Sequence, residues 1–285
     1  MLARMPVTPR RVASFSGQRV LITGGSSGIG LALARAVVRK GAHVCIAARD
    51  PDRLAMAIGT IGRAARTGQT VCSVRMDVTS QDSVHTTVPQ AIERLGAVDI
   101  LINNAGSARP GYFDRLQLDD FEKMLAVNYL GPVRVIQALL PHFLERHGGR
   151  IVNVTSMLGF MGTFGYSAYA GSKHALAGFT EVLRQDLLPH GIRVHLCYPP
   201  TTKTPGLEAE NAVKPPEAWA IEGSSRAFPP DAVAQAILVG LRKGRFHILV
   251  GLDSHLIWRV QRFAPWLVRA LTDRILRRAS PTEQE

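Results

Sequence analysis

Tyr169 and Lys173 stand four residues apart in the stretch SAYAGSKHALAGFTEVL. On a helix that spacing puts both side chains on one face. The pair suits proton transfer to a carbonyl oxygen while the carbonyl carbon takes a hydride. A free phenol has a pKa of about 10, too high for efficient exchange near neutrality. An adjacent ammonium, together with the positive ring of an oxidised nicotinamide, stabilises the phenolate and lowers that value. Ser156 precedes Tyr169 by thirteen residues, just past a β-branched run. Its hydroxyl is placed to bond a substrate carbonyl and orient it, with Thr155 and Ser167 as nearby competitors. Asn128, in KMLAVNYLGP, falls inside a helical pattern where Asn is a poor former. It can bend that helix and relay a proton through water to Lys173; the plainer reading is a surface Asn. A Tyr–Lys pair at this spacing arises by chance on many helices. Its conjunction with Ser156 and the turn described next does not.

The turn Thr23-Gly24-Gly25-Ser26-Ser27-Gly28-Ile29-Gly30 follows a β-branched run and opens a helical one. Glycines at Gly24, Gly28 and Gly30 let the backbone approach a pyrophosphate, and the helix start supplies free N–H groups and a positive dipole end. Ser26 and Ser27 add hydroxyl donors, and Ile29 lies in the first turn. An acidic residue at the end of the second strand would bind the two ribose hydroxyls of NAD. Here Ala47-Ala48-Arg49 stands instead, with Arg53 one helical turn on. Two guanidinium forks suit a ribose 2′-phosphate, so NADPH is the expected cofactor. Asp50 is expected to cap the next helix. Asp77-Val78, after the third strand, offers acceptors for an adenine amino group; a helix-capping Asp77 is an equal alternative. Asn103-Asn104-Ala105-Gly106, after the fourth strand, is small enough to pass close to the adenosine half, with its Asn side chains tying strand ends together. Thr202 and Thr204, after the sixth strand, are also placed with the cofactor.

Seven short apolar runs position these groups: Arg19 to Thr23, His43 to Ala48, Thr70 to Met76, Asp99 to Asn103, Arg150 to Thr155, Arg193 to Tyr198 and Phe246 to Val250. Nearly continuous apolar strands separated by helical patterns indicate one α/β domain. Its expected core is a doubly wound parallel sheet of about seven strands, covered on both faces. That domain is expected over residues 18–251. Residues 1–17 read as a flexible basic arm. Residues 199–229, rich in proline and weak in periodicity, read as an irregular substrate lid at the carboxyl edge of the sheet; a variable surface loop is the alternative.

With 285 residues and 46% hydrophobic content, the chain can build a sizeable core. Residues 1–18 contain no continuous apolar segment of the secretory type, and no run approaches the roughly 20 apolar residues of a spanning helix. The three cysteines, Cys45, Cys72 and Cys197, fit no metal or disulfide spacing and read as buried free thiols in a reducing compartment. The net charge of +12 is scattered, and no helix-turn-helix, zinc finger or basic–aromatic platform accompanies it, so nucleic acid is not an expected partner.

TGGSSGIG, NNAG, Asn128, Ser156 and the segment Tyr169 to Lys173, in that order, resemble the short-chain dehydrogenase/reductase family over about Gln18 to Val250. The resemblance implies a Rossmann fold, a nicotinamide dinucleotide and a homo-dimer or homo-tetramer. It also implies roles: Ser156 positions the carbonyl, Tyr169 is the acid, Lys173 lowers its pKa and Asn128 serves the proton relay. Within the family, CYPPTTKTPGLEAEN and Lys214-Pro215 are similar to the 3-ketodihydrosphingosine reductases. That implies a hydrophobic long-chain ketone substrate. Other ketones, such as a 3-oxoacyl thioester or a steroid, are the nearest alternative, and a cofactor-binding regulator without turnover is an alternative of another class. Eukaryotic members carry hydrophobic membrane segments at their ends, whereas this chain has none long enough to span.

In residues 252–285, Leu256, Val260, Phe263, Trp266, Leu267, Leu271 and Ile275 recur at helical steps among Arg259, Arg262, Arg269, Arg274, Arg277 and Arg278. A Trp-bearing apolar stripe with a basic opposite face suits an interfacial membrane helix, kinked at Pro265. A helix packed on the body or on a second subunit is an equal reading. A cytoplasmic protein, peripheral on a membrane, is the resulting expectation.

Overall fold

Alternation within each strand decides the architecture. Val20, Ile22, Val44 and Ile46 enter one apolar cluster, while Leu21, Cys45 and Ala47 enter another. Side chains on a strand alternate between faces, so both faces of this sheet must be covered by helices. A computed structural model describes residues 11–223 and 227–279 and has this arrangement. Seven parallel strands lie in the order β3-β2-β1-β4-β5-β6-β7 within a single domain. They are β1 (Arg19–Thr23), β2 (His43–Ala48), β3 (Val71–Arg75), β4 (Ile100–Asn103), β5 (Gly149–Val154), β6 (Ile192–Tyr198) and β7 (His247–Leu249).

The first half alternates these strands with α1 (Gly28–Arg39), α2 (Pro51–Gly62) and α3 (Gln81–Leu95). The second adds α4 (Leu118–Leu125), α5 (Gly131–Glu145), α6 (Ser167–Leu187), α7 (Pro205–Asn211), α8 (Pro216–Glu222), α9 (Pro230–Lys243), α10 (Gly251–Phe263) and α11 (Pro265–Ala279). Leu33 and Val37 of α1, Leu54 and Ile61 of α2, and Ile237 and Leu241 of α9 cover one face. Val88 of α3, Leu139 and Phe143 of α5, and Leu187 of α6 cover the other. The sheet order reverses between β1 and β4, which opens a crevice at their carboxyl ends where such folds bind ligands.

Four expectations need correction. Part of the arm expected at 1–17 is core: Val12 and Phe15 are buried, and the Val12 N–H donates to the Leu241 carbonyl at 3.2 Å. Residues 1–10 of that arm lie outside the described residues, as do 224–226 of the lid and 280–285 of the tail. The lid contains two short helices, α7 and α8, each carrying Pro at its first position, where a missing N–H costs nothing. Cys45 and Cys197 are buried, but Cys72, the register partner of Cys45 across β2 and β3, is only half-buried. The tail is no appendage. It breaks at Ala264, before Pro265, and α11 packs against lid helix α8. Trp258 of α10 joins an apolar cluster with Leu196, Tyr198 and Leu249, and Ser254 is buried. Leu256, Phe263, Trp266, Leu267 and Leu271 remain exposed. Of the two readings of the tail, packing on the body is present on one face, and the other face is exposed. No helix among the described residues is long and apolar enough to cross a membrane.

Candidate active site

The glycine turn forms one end of the cavity because its backbone is packed too tightly for side chains. A Cβ on Gly25 would lie 2.6 Å from Ile46, and one on Gly30 would overlap the Gly24 carbonyl oxygen. Helix α1 therefore starts directly beneath the turn. Ser27 occupies its N-cap without using its hydroxyl as a cap, and the first turn has no acidic residue. The free N–H groups there suit a phosphate. Thr23 joins this turn to the segment after β4: its hydroxyl accepts from the N–H groups of Asn104 and Ala105, each at 3.1 Å. The Asn104 amide donates to the Thr23 and Gly24 carbonyls at 3.2 Å, and Asn103 donates to Asn153 of β5 at 2.9 Å. The expected tying of strand ends by Asn side chains is present.

At the adenosine end, Arg49 and Arg53 line the cavity, both largely exposed. Asp50 caps α2 by accepting from the N–H groups of Asp52 and Arg53 at 3.0 Å, and it pairs with the Arg53 guanidinium at 3.4 Å. Of the two readings of Asp77, capping is excluded, since Ser80 caps α3. Asp77 accepts from the Thr79 N–H at 2.9 Å and the Thr79 hydroxyl at 2.8 Å and lines the cavity beside Val78. Burial works against its charge, but these bonds, with Arg49 and Arg134, hold its carboxyl below the usual range.

The chemical groups meet where β5 ends and α6 begins. Ser156, Tyr169 and Lys173 all line the cavity. Thr155 also lines the cavity, but it is buried and its hydroxyl donates to the Lys173 carbonyl at 3.0 Å, and Ser167 is exposed outside the cavity, so Ser156 is the hydroxyl available at the site. Lys173 is buried, its ammonium donating to the Val154 carbonyl at 3.2 Å and lying 5.7 Å from the centre of the Tyr169 ring. Burial pushes this ammonium down to about 8. Burial also pushes the Tyr169 phenol up, the Ser156 hydroxyl works in the opposite direction, and the Glu210 carboxylate adds to the rise. In this arrangement burial disfavours both charged forms, and what opposes the rise of the phenol is the Ser156 hydroxyl rather than the Lys173 ammonium expected to do so.

Gly30 and Asn128 do not line the cavity; they support its wall. Asn128 is fully buried in a π-helical turn, Ala126–Leu130, between α4 and α5. Such turns interrupt the regular ladder and often mark functional positions. Its Oδ1 accepts from the Ser107 N–H at 3.1 Å, and its Nδ2 donates to the Ser107 carbonyl at 2.9 Å and the Ser172 hydroxyl at 3.0 Å. The regular helical ladder is interrupted at Asn128, and the surface reading is excluded. Direct contacts run to Ser107 and Ser172, the neighbour of Lys173. A Cβ on Gly106 would lie 2.8 Å from Asn128 Oδ1 and 3.5 Å from Lys173 Nζ, which explains a glycine there.

Thr202 and Thr204 line the cavity, as expected. Thr204 caps α7 by accepting from the Leu207 N–H at 3.1 Å, and its methyl faces Gly28. Sequence reasoning missed Tyr166, Glu222 and the tail residues Ser254 and Ile257 as cavity groups. Tyr166 had a signal, three residues before Tyr169 at the same helix start. The tail residues had none, since only the tertiary fold brings them there. The cavity totals about 1540 Å³, more than the roughly 300–1,000 Å³ typical of a single small ligand.

The comparisons agree with this geometry. The family model described as short chain dehydrogenase matches residues 18–214. The chain belongs to the short-chain dehydrogenase family and is an oxidoreductase of it that uses a nicotinamide dinucleotide. It is 38% identical to the 3-ketodihydrosphingosine reductase of Mus musculus over 254 residues, covering 88% of this chain and 76% of the relative. It is 34% identical to the protein of that name from Dictyostelium discoideum over 255 residues, covering 84% and 76%. A solved short chain dehydrogenase/reductase from Burkholderia phymatum, in complex with NAD, superposes with a TM-score of 0.79 at 26% identity, covering 90% of this chain and 96% of the other.

Proposed function

We propose that the protein reduces 3-ketodihydrosphingosine to dihydrosphingosine, with NADPH as hydride donor. The observation that carries this reading is one cavity with two halves that meet at Ser156 and Tyr169. One half contains the glycine turn. The other has Met157, Met161, Leu207, Ile221 and Ile257, apolar side chains suited to a long chain, together with Tyr166, Glu210 and Glu222. A nicotinamide dinucleotide bound at the turn supplies the hydride. Ser156 donates a hydrogen bond to the ketone oxygen, and Tyr169 gives that oxygen its proton as the alkoxide develops. Lys173 carries the proton that restores the phenol. The names of the similar reductases supply the identity of the ketone. Arg49 and Arg53 support NADPH over NADH; Asp50 caps α2 through backbone N–H groups, and its exposed pair with Arg53 at 3.4 Å is the contact a 2′-phosphate must displace. The test is initial rates with NADPH and NADH on a panel of 3-ketosphingoid bases, 3-oxoacyl thioesters and steroids. Turnover of another ketone without the sphingoid base overturns the substrate. A preference for NADH, or one unchanged in Arg49→Ala/Arg53→Ala, overturns the cofactor.

We also propose that the tail rests on an anionic membrane surface. Leu256, Phe263, Trp266, Leu267 and Leu271 are exposed beside Arg259, Arg262, Arg269 and Arg274, a combination suited to an interfacial helix. Because α10 lines the cavity, deletion of the tail would damage the site as well. Trp266→Glu/Leu271→Glu is the cleaner variant. It is expected to lose sedimentation with anionic vesicles while retaining its melting temperature. Equal sedimentation of both proteins overturns the proposal.

A further inference from the structure

We propose that Glu210 is a specificity-determining residue that receives a cationic amine on the carbon next to the reacting ketone. This inference rests on the substrate reading above, since 3-ketodihydrosphingosine carries an amine at that position. The site is the catalytic cavity already described; the carboxylate adds a charge requirement to it. Helix α7 starts at the Thr204 cap against Gly28 and carries Glu210 to Tyr166, whose hydroxyl donates to Glu210 Oε1. The Tyr166 ring meets the Tyr169 ring edge-on, with centroids 6.1 Å apart. Glu210 is thereby fixed one aromatic ring away from the catalytic phenol.

The surrounding charges do not balance. The buried Lys214 ammonium lies 3.6 Å from Glu210 Oε1 and 2.7 Å from Glu222 Oε2, and 4.3 Å over the Trp219 ring. Both carboxylates line the cavity, so one ammonium serves two of them. The contacts of Glu210 with Tyr166 and Lys214 fall on Oε1, which leaves Oε2 for a ligand. Lys173, the other ammonium beside Tyr169, is bound to the Val154 carbonyl, and the Glu210 charge that Lys214 shares with Glu222 opposes the alkoxide that develops on the ketone oxygen. An ammonium adjacent to the carbonyl removes that opposition, and a neutral ketone does not. Glu210 thus ties productive reduction to a substrate that brings its own positive charge.

The test compares 3-ketodihydrosphingosine with its 2-deamino analogue, the 1-hydroxy-3-ketone of equal chain length, in wild type, Glu210→Gln and Glu210→Asp. Gln keeps an acceptor for Tyr166 and removes the charge; Asp keeps the charge. Wild type is expected to favour the amino ketone in kcat/KM by on the order of 10- to 100-fold, the range for a hydrogen bond to a charged group. The ratio should collapse toward one in Glu210→Gln and persist in Glu210→Asp. A ratio unchanged in Glu210→Gln overturns the proposal, as does a purely structural effect that lowers both substrates equally. A wild type that reduces both ketones equally refutes the amine site and leaves the substrate reading intact. A wild type inactive on the amino ketone, but active on the neutral one, overturns both.

Discussion

Lys173→Met is expected to abolish turnover and to stabilise the fold at neutral pH. Lys173 is only 4% exposed, and burial moves its ammonium from 10.5 to about 8. One pKa unit corresponds to about 1.4 kcal/mol, so keeping this charge buried at pH 7 costs about 3 kcal/mol. Methionine fills a similar volume without the charge. The substitution also removes the 3.2 Å bond to the Val154 carbonyl, a loss of about 1–2 kcal/mol when that acceptor is left unpaired. The net gain at pH 7 is about 1–2 kcal/mol. The sign with pH follows from proton counting. Between about 8 and 10.5 the unfolded chain holds a proton that folded Lys173 has released, so wild-type stability rises with pH across that window. The methionine variant lacks this rise. Its advantage is therefore greatest below pH 8 and shrinks by about 3 kcal/mol toward pH 10.5. Urea unfolding of both proteins at several pH values reads the difference. A difference that does not change with pH would refute the reasoning.

Other substitutions separate chemistry from scaffold. Tyr169→Phe should lower kcat by about 10²- to 10⁴-fold, the usual range for a general acid, with little change in melting temperature; a normal rate would exclude Tyr169 as the proton donor. Asn128→Ala leaves both backbone groups of Ser107 without their partner and should destabilise the fold by about 1–3 kcal/mol, read by denaturant midpoint. Gly30→Ala drives a Cβ into the Gly24 carbonyl and should weaken dinucleotide binding, read by fluorescence titration.

What was legible in the sequence was what local pattern controls. The runs at Arg19–Thr23 and His43–Ala48 coincide with β1 and β2, because each ends where a turn or a helix cap begins. The Tyr169–Lys173 spacing was readable because α6 is long and regular. Helices α7 and α8 were not readable: each has only seven residues, too short to be stable alone, and α8 is held by packing against α11. The burial of Val12 and Phe15 depends on α9, far along the chain, whose Leu241 carbonyl accepts from the Val12 N–H. The π-helical turn at Asn128 likewise depends on Ser107 and Ser172.

The two directions of the reaction should differ in their response to pH, for reasons that lie in the site's own residues. Reduction needs Tyr169 protonated. Burial, with Glu210, holds the phenol above its ordinary range, so it stays protonated throughout neutral pH. Resupply of that proton depends on Lys173, which loses its charge above about 8. Reduction should therefore fall as pH rises through about 8. Oxidation of the alcohol needs the opposite state, a phenolate able to accept a proton, and its rate should rise with pH over the same interval. Steady-state kcat in both directions, measured across that interval, checks this. Parallel profiles would show that proton transfer at Tyr169 does not limit either direction, and the assignment of opposite proton demands to Tyr169 and Lys173 would fail.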